Sequence, residues 1–282
     1  MTEKSRTVLI TGCSSGIGRA VALTLQARGY RVFAGVRRDP DRAGLAQAGL
    51  ETQVLDLSDS ASIASAVAAV LAATGGRLDA LINNGAYGQP GAVEDLSRDA
   101  LRAQFETNVF GTQELTNRLM PVFRAQGHGR IVQISSLLGY VSLAYRGAYN
   151  ASKHALEALS DTMRLELAGS GIQVILVEPG PIVSRFRENA YAAFKANIDR
   201  EHSAHREYYA AVEKRLGGQK PLPFTLPAKA VAAKVVHALE SRRPRLRYRV
   251  TFPAHLFAGL KRLLSTRRLD RVLRRVTGGG SR

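Results

Sequence analysis

Short apolar runs alternate with segments of helical periodicity along most of this chain. The runs are rich in β-branched residues and lie near positions 7–10, 32–34, 52–55, 78–82, 131–134 and 174–177, with a seventh near 246–250. Apolar residues recur at helical spacing over about 17–28, 60–74, 98–125, 149–169, 186–215 and 227–240, and Ser97 is a suitable N-cap for the third helix. Short apolar strands separated by helices are typical of a parallel sheet covered on both faces. The pattern therefore predicts an α/β fold with a doubly wound parallel sheet of about seven strands.

A glycine-rich segment lies between the first strand and the first helix. It reads Thr11-Gly12-Cys13-Ser14-Ser15-Gly16-Ile17-Gly18. In this context Gly12 permits a tight turn, Gly16 lets the backbone approach a pyrophosphate, and Gly18 allows close helix–strand packing. The N–H groups and the positive dipole end of the helix then face the phosphates. The segment predicts a Rossmann-type dinucleotide site made by Gly12, Ser14, Ser15, Gly16, Ile17 and Gly18.

A second constellation combines a serine, a tyrosine and a lysine. Tyr149 and Lys153 are four residues apart, so on a helix they share one face. A free tyrosine has a pKa near ~10, and a cation held against the phenol lowers that pKa toward the range useful for acid–base catalysis. Ser136 precedes the tyrosine by thirteen residues. These side chains suit proton transfer to or from a carbonyl or alcohol oxygen.

Together the motifs give the chain a family resemblance. It resembles a short-chain dehydrogenase/reductase over at least residues 6–250, and in detail the hydroxysteroid and retinol dehydrogenase branch. Further matches follow in order: Asp56 and Leu57, then Asn84 and Gly85 in an Asn-Asn-Gly-Ala turn, then Asn108, and finally Pro179, Gly180, Ile182 and Ser184. The resemblance implies the strand order 3-2-1-4-5-6-7 and an NAD(P)-dependent oxidoreductase that acts on CH–OH groups.

The resemblance also implies catalytic roles. Tyr149 is the acid/base, Ser136 hydrogen-bonds the substrate oxygen, and Lys153 lowers the pKa of the tyrosine. Asn108 holds a water that links the lysine to a proton relay. The alternative is a catalytically silent dinucleotide-binding regulator or scaffold of the same fold, although such relatives usually lack the tyrosine or the lysine.

Other matched residues imply contacts with the two ends of the cofactor. Asp56 resembles the acidic residue that contacts the adenine amino group. Tyr149 and Lys153 belong to the cofactor site as well, because the lysine binds the nicotinamide ribose. The turn after Pro179 corresponds to the nicotinamide side, and Ser184 stands where the family commonly has a threonine that meets the carboxamide.

The end of the second strand bears on the choice of cofactor. NAD-preferring relatives place an acidic residue there, which accepts a hydrogen bond from the ribose 2′-hydroxyl. In this chain the position is Val36, and Arg37 and Arg38 follow. An arginine beside the 2′ position binds a 2′-phosphate through a charge-assisted fork. The sequence favours NADP(H) over NAD(H); two solvated arginines are the alternative, and Asp39 is an argument against the preference.

The substrate is less well defined by the sequence. The segment after Ser136 is mostly apolar, and the region near 185–226 contributes Phe186, Tyr191, Phe194, Tyr208, Tyr209 and Phe224. These residues either line an apolar cleft for a lipophilic ketone, aldehyde or alcohol, or make ordinary core contacts. The sequence leaves both interpretations open.

Length and composition favour one domain. With 282 residues, 45% of them apolar, the chain can bury one large core. We expect a catalytic domain over 1–252, with a lid and substrate insert at about 185–226, and a homodimer or homotetramer as the assembly. The single cysteine, Cys13, excludes an internal disulfide and suits a reducing compartment. The polar start of the chain and the lack of a long apolar run predict a cytoplasmic protein.

The remaining polar features predict neither a metal nor a nucleic acid as partner. His202 and His205 form an H-x-x-H pair on a predicted helix, but without companion ligands they indicate a solvated helix face. The basic C-terminal region has no DNA-binding motif.

Positive charge is concentrated at the C-terminus. The net charge is +17, and residues 242–282 carry thirteen Lys or Arg and one acid, Asp270. Leu256, Leu260, Leu263, Leu264, Leu269, Val272, Leu273 and Val276 recur among these cations at helical spacing. A basic amphipathic extension over 253–282 can lie on an anionic membrane; the alternatives are a helix packed on its own domain or on a partner subunit. The final Gly-Gly-Gly-Ser run is typical of a linker and is left out of the fold.

Overall fold

Seven parallel strands form one sheet in the computed structural model, which describes residues 5–217 and 223–277. The strands are β1 (Thr7–Ile10), β2 (Arg31–Val36), β3 (Glu51–Val54), β4 (Ala80–Asn83), β5 (Gly129–Ile134), β6 (Ile172–Pro179) and β7 (Arg247–Val250). Their order is β3-β2-β1-β4-β5-β6-β7, and every neighbouring pair is parallel. The α/β, Rossmann-type doubly wound sheet and the implied strand order are confirmed. Several strands extend beyond their apolar runs because polar residues such as Arg31 and Gln173 also pair in the ladder.

The helices depart from the sequence prediction at two places. They are α1 (Gly16–Gln26), α2 (Ala43–Ala46), α3 (Ser60–Thr74), α4 (Arg98–Phe105), α5 (Gly111–Gln126), α6 (Gly147–Glu166), α7 (Phe186–Asn197), α8 (Arg206–Gly217), α9 (Lys229–Glu240), α10 (Phe252–Leu263) and α11 (Thr266–Thr277). The predicted helix over 98–125 is interrupted by a π-helical turn at Glu106–Phe110, and the one over 186–215 is divided into α7 and α8. Ser97 caps α4 as predicted, because its hydroxyl accepts from the Ala100 N–H at 3.1 Å.

Both faces of the sheet are buried. Val8 and Ile10 point into one layer and Leu9 into the other, since successive side chains of a strand alternate between faces. Helices α1 and α9 cover the first layer, and α3, α5 and part of α6 cover the second. Each buried aliphatic side chain contributes about 1.5–3 kcal/mol, so these two layers supply most of the stability of the sheet.

The carboxyl edge of the sheet brings the predicted site residues together. Thr11 follows β1, Asn84 follows β4, Ser136 follows β5, and β6 ends at Pro179. In a parallel sheet these strand ends lie side by side, and ligands bind in the crevice outside them. Strands β1 and β4 are neighbours, so the chain crosses the sheet between them and opens that crevice.

The last two helices pack against the domain. The Tyr140 hydroxyl donates to the Ala254 carbonyl of α10 at 2.6 Å, and Phe257 and Leu273 are buried in one cluster with Leu137. Of the predicted apolar stripe, Leu260, Leu269, Val272 and Leu273 face this cluster, whereas Leu256, Leu263 and Val276 are exposed. Helices α10 and α11 thus pack on their own domain through Ala254, Phe257 and Leu273, which was one of the alternatives for this region. The glycine-rich end, 278–281, lies outside the described residues.

Within the described ranges, no helix combines the length and the apolar character needed to cross a bilayer.

Candidate active site

The glycine segment after β1 is held in shape by the turn after β4. Asn84 Nδ2 donates to the carbonyls of Thr11 and Gly12 at 2.9 and 3.1 Å, and Thr11 Oγ1 accepts from the N–H groups of Asn84 and Gly85. A Cβ on Gly18 would lie 2.3 Å from the Gly12 oxygen, so only glycine fits there. The cradle that results has the shape a dinucleotide pyrophosphate requires. Thr11 was not among the residues predicted for the site, although its place before the first glycine was a usable signal.

Helix α1 begins at this cradle with its first amides available. Ser15 precedes the helix in an extended conformation, and no side chain among the described residues caps it. Ser14 is exposed, while Ser15, Gly16 and Ile17 are half-buried. A Cβ on Gly16, whose φ is +58°, would lie 2.9 Å from Ser184 Cβ, so the turn after β6 closes over the cradle. Uncapped amides at such a helix start suit a phosphate.

Residues for the adenosine end lie after β2 and β3. Asp56 Oδ1 accepts from the N–H and the hydroxyl of Ser58 at 2.9 and 2.7 Å. Leu57 is buried beside Gly85, so it acts in packing, and its predicted contact with the cofactor stays a prediction. Val36 ends β2 and is fully buried, so a carboxylate is missing from the ribose position, as the sequence indicated.

The two arginines after β2 differ in their surroundings. Arg38 pairs with Asp41 at 3.1 Å, and Asp39 pairs with Arg42 at 2.9 Å. Arg37 is exposed and makes no hydrogen bond or ion pair with any residue the structure describes. Arg37 is thus the cation most readily available to a 2′-phosphate, and Asp39 is already engaged.

Tyr149 is buried in the first turn of α6, near Ser136 at the end of β5. Burial raises the pKa of its phenol to about 12, and a hydrogen bond with Ser136 and the charge of Arg146 oppose that rise. Ser136 Oγ also accepts from the Leu138 N–H at 3.1 Å, which fixes its position. A phenol with this pKa carries its proton at neutral pH and can donate it to an oxygen placed beside it.

Lys153 is also buried, one turn after the tyrosine. Its ammonium donates to the Ile134 carbonyl at 2.8 Å and lies 5.9 Å from the centroid of the Tyr149 ring. Burial lowers the pKa of Lys153 to about 8, and the charge of Glu157 opposes this. The groups that lower the pKa of Tyr149 in this structure are Ser136 and Arg146, and the Lys153 ammonium is held by the Ile134 carbonyl. The predicted effect of Lys153 on the tyrosine pKa stays a prediction.

Asn108 is placed by the π-helical turn between α4 and α5. Its Oδ1 accepts from the Tyr87 N–H at 3.1 Å, and its Nδ2 donates to the Tyr87 carbonyl and to Ser152 Oγ at 2.9 and 3.1 Å. The side chain thus ties the segment after β4 to the helix that carries Lys153. Gly111 ends the turn, and a Cβ there would lie 1.6 Å from the Leu57 carbonyl oxygen. The water expected at Asn108 stays a prediction.

The turn after β6 is braced by the end of β7. The Gly180 N–H donates to the Val250 carbonyl at 2.9 Å, and a Cβ on Gly180 would lie 2.2 Å from Thr251 Oγ1. Thr251 is buried with a φ of +92°, a strained conformation for a β-branched residue. Ile182 forms a bridge with Leu226 and is half-buried. The contribution of Thr251 could not be predicted from the sequence, because nothing local marks a positive φ at threonine.

The aromatic residues predicted for the lid belong to different clusters, and Phe186 is the one that packs on Tyr149. Phe186 packs edge-on against the Tyr149 ring with centroids 5.2 Å apart, and Leu137 and Leu138 belong to the same cluster. Phe194 and Tyr209 are buried in a separate cluster within α7 and α8, where they make core contacts. Helices α10 and α11 supply further apolar residues to the cluster around Tyr149, which the sequence had not connected with the site.

A partly buried charge cluster lies behind α6, the helix that carries Tyr149 and Lys153. Arg247 of β7 pairs with Glu157, with Glu178 at 2.6 Å and with Asp161 at 2.5 Å. Arg249 approaches the second carboxylate oxygen of Glu178 at 3.2 Å. Burial raises the pKa of Glu157, and Arg247 opposes that rise. The cluster joins α6, β6 and β7 below Lys153.

The histidine pair lies in the connection between α7 and α8, not on a helix. His202 contacts Asp199 at 2.9 Å, and a hydrogen bond with that carboxylate raises the pKa of His202. His205 contacts Glu94 at 2.5 Å and Tyr145 at 3.2 Å. In the part of the chain that the structure describes, no three His, Cys, Asp or Glu side chains are grouped as a metal site.

Fold and site together define a class of protein. An α/β sheet with a dinucleotide cradle and a serine, tyrosine and lysine at its carboxyl edge is typical of NAD(P)-dependent oxidoreductases. Residues 6–195 match the family described as short chain dehydrogenase. The chain belongs to this family, as its motifs predicted, and is an oxidoreductase acting on CH–OH groups.

Relatives and solved structures agree with this assignment. An uncharacterized oxidoreductase of Escherichia coli (strain K12), YbbO, is 40% identical over 95% of this chain and 94% of its own length. The NADPH-dependent 3-dehydrocapnine reductase of Ornithobacterium rhinotracheale is 31% identical over 95% of both chains, and human 17-beta-hydroxysteroid dehydrogenase type 1 is 34% identical over 86% of this chain and 77% of its own. A short-chain dehydrogenase from Streptomyces avermitilis superposes over 100% of both chains with a TM-score of 0.80 and 33% identity.

Proposed function

We propose that this protein is an NADP(H)-dependent oxidoreductase that reduces a lipophilic ketone or aldehyde, or oxidises the matching alcohol, with Tyr149 as the acid/base. The observation that carries the proposal is the buried Tyr149 phenol between Ser136 and the apolar cluster that contains Phe186 and Leu137. A proton donor, a second hydrogen-bonding hydroxyl and an apolar wall converge there.

Each residue has a defined task in the proposed reaction. The cradle of Gly12, Gly16 and Gly18 would hold a nicotinamide dinucleotide, which would supply the hydride in reduction and accept it in oxidation. In reduction Tyr149 gives its proton to the carbonyl oxygen, and Ser136 donates a hydrogen bond to the same oxygen. Lys153 carries the positive charge that stabilises the phenolate left behind, and Asn108 holds the helix of Lys153 in place through Ser152. A positioned proton donor of this kind typically accelerates such a step about 10²–10⁴-fold.

The preference for NADP(H) is supported by Arg37. The side chain is exposed and, among the described residues, makes no ion pair, and the neighbouring Val36 offers no carboxylate to a 2′-hydroxyl. The relative from Ornithobacterium rhinotracheale is named as NADPH-dependent. A Burkholderia phymatum structure that is 26% identical, with a TM-score of 0.76 over 92% of both chains, is a complex with NAD, and NAD(H) is the less favoured cofactor of this proposal.

The lipophilic substrate is supported by the cluster around Tyr149. Leu137, Leu138, Val141 and Phe257 are buried there, and Phe186 packs on the tyrosine ring. Lipophilic ketones, aldehydes and alcohols would fit this wall, and two relatives are named as a 3-dehydrocapnine reductase and a 17-beta-hydroxysteroid dehydrogenase. An apolar wall favours such substrates, because transfer of their surface from water is favourable.

The proposal also covers the oligomeric state and the location of the enzyme. We expect a homodimer or homotetramer in the cytoplasm, in peripheral contact with anionic membranes through the C-terminal region. Phe110 and Leu159 are large apolar side chains exposed on the surface around α5 and α6, where a second subunit would cover them. The net charge of +17 favours an anionic partner.

A panel assay tests the proposed function. Purified protein is mixed with NADPH or NADH and a series of ketones and aldehydes of increasing chain length, and the loss of cofactor absorbance is followed. We expect turnover with NADPH and a rise of kcat/KM with chain length. Binding of NADPH without turnover of any substrate would favour the silent regulator or scaffold.

A further inference from the structure

Helix α10 has two apolar faces. Ala254 and Phe257 are buried against the segment that follows Ser136. Phe252, Leu256 and Leu263 are exposed and fall within about 40° of one another around the helix axis at 100° per residue. A helix that merely covers its own domain needs the first face only, so the second face calls for a partner.

This second face continues into a larger surface. The Phe224 and Phe252 ring centroids are 5.1 Å apart. Two residues beyond Phe224, the Leu226 carbonyl accepts from the Val183 N–H at 3.0 Å. We call the surface the outer patch; it consists of Val183, Phe224, Leu226, Phe252, Leu256 and Leu263, whose exposure ranges from 38% to 82%. Single exposed apolar residues are ordinary, whereas a continuous group of them marks an interaction surface.

The outer patch borders the entrance to the site. Val183 directly precedes Ser184, which approaches the glycine cradle at Gly16. Two residues later Phe186 packs on Tyr149. A lipophilic ligand at the outer patch is therefore next to the cleft in which Tyr149 lies.

Positive charge adjoins the outer patch at its Leu263 end. Lys261 and Arg262 end α10, and after two further residues α11 carries Arg267, Arg268, Arg271, Arg274 and Arg275. All of these side chains are exposed, and Asp270 is the single acid in the sequence of the two helices. The apolar stripe of α11 is packed inward, so its outer face is left to the arginines.

We infer that the outer patch docks on an anionic lipid surface. Its aromatic and aliphatic side chains enter the interface, and the arginines of α11 meet the headgroups. A second copy of this chain fits less well, because two arginine-rich α11 helices would then face each other. Resting on the proposed function, the inference adds that lipophilic carbonyl compounds reach the cleft from the bilayer surface.

Vesicle sedimentation with the full-length chain tests the docking. Wild-type protein is mixed at low salt with phosphatidylglycerol/phosphatidylcholine vesicles and with phosphatidylcholine vesicles. The test variant is Leu256→Gln/Leu263→Gln, and the matched control is Leu165→Gln, an equally apolar and exposed residue near the far end of α6. We expect wild type and control to bind the anionic vesicles but not the phosphatidylcholine vesicles. The double variant should bind the anionic vesicles at least about tenfold more weakly, because it lacks two leucines that would enter the lipid interface.

Three results would overturn the inference. The first is that wild type does not bind anionic vesicles. The second is that the double variant binds them as tightly as wild type does. The third is a dimer in light scattering that the double variant abolishes while vesicle binding persists, which would make the outer patch a subunit interface. Reduction of a small soluble aldehyde should be unchanged in the double variant. Vesicle binding by a protein that reduces no carbonyl would leave the docking intact and refute the proposed function.

Discussion

Lys153 and Glu157 lie one turn apart on α6 and are both buried, with 3% and 6% of their surfaces exposed. Burial lowers the pKa of Lys153 to about 8, and the charge of Glu157 acts in the opposite direction. Arg247 pairs with Glu157 from β7 and so helps to keep that carboxylate ionised. The charge of Lys153 therefore depends on the buried carboxylate of Glu157.

Glu157→Gln should shift the alkaline limb of the reduction rate to lower pH. The change removes the negative charge that stabilises the Lys153 cation, so the pKa of the lysine, already lowered to about 8, falls further. An opposite charge near an ionisable group moves its pKa by about 1–3 units, and we expect a shift of about 1 pH unit. The measurement is kcat against pH from 6 to 10.

The matched control is Asp161→Asn, which also removes a carboxylate from Arg247 but lies two turns from Lys153. A purely structural cluster would lower the thermal stability of both variants and leave both pH profiles in place. That outcome would show that Glu157 does not influence the charge of Lys153.

Tyr149→Phe should reduce carbonyl reduction by about 10²–10⁴-fold, because the proton donor is lost. Cofactor binding should change little, since Gly12, Gly16 and Gly18 form the cradle. Turnover and NADPH affinity are measured on the same preparation. A folded Tyr149→Phe protein with near-normal turnover would contradict the assignment of the acid/base.

Alcohol oxidation should rise with pH while reduction stays flat between pH 6 and 7.5. Oxidation needs the Tyr149 phenolate, and the raised pKa of about 12 leaves that form scarce. Below its pKa the phenolate fraction increases about tenfold per pH unit. Lys153, with a pKa of about 8, remains mostly charged over this range. Initial rates in both directions check the prediction, and a pH-independent oxidation rate would contradict it.

The fold and the position of the site followed from the sequence because their signals are local. The apolar runs and the Thr11–Gly18 segment fix strand, turn and helix in one stretch of chain. The break at Glu106–Phe110, which places Asn108, could not be predicted, since Gly111 closely approaches Leu57 in the turn after β3, far away in the sequence. The contact of Thr251 with Gly180 could not be predicted either, because it also joins distant parts of the chain.

The C-terminal helices show a different limit of sequence reasoning. Periodicity identified their apolar stripe correctly, but it could not tell what the stripe faces. Leu273 turns toward the domain and Leu263 toward solvent, although both belong to the same predicted stripe. Which residue faces which partner depends on where α10 leaves β7, and that is a property of the tertiary structure.

Arg37→Asp should weaken NADPH far more than NADH. The carboxylate repels a 2′-phosphate and accepts from a 2′-hydroxyl. We expect the ratio of kcat/KM for NADPH over NADH to fall at least about tenfold. The control is Arg38→Asp, because Arg38 is engaged by Asp41. A wild type that prefers NADH, or equal effects of the two variants, would show that Arg37 does not select the cofactor.

Gly111→Ala should destabilise the protein and impair catalysis together. A Cβ at Gly111 would lie 1.6 Å from the Leu57 carbonyl oxygen, so α5 must move away from the end of β3. Overpacking of this kind costs about 1–3 kcal/mol or more, and the displaced π-helical turn would take Asn108 out of contact with Ser152.

Gly44→Ala is the matched control for that variant. Gly44 lies in α2, and among the described residues nothing would come within 4 Å of its added Cβ. Alanine there should be neutral or stabilising by about 0.4–1 kcal/mol, since it restricts the unfolded chain. Denaturant unfolding and NADPH-dependent turnover are measured for both variants. If Gly111→Ala is as stable as Gly44→Ala, the contact between α5 and the end of β3 is not what holds Asn108 in place.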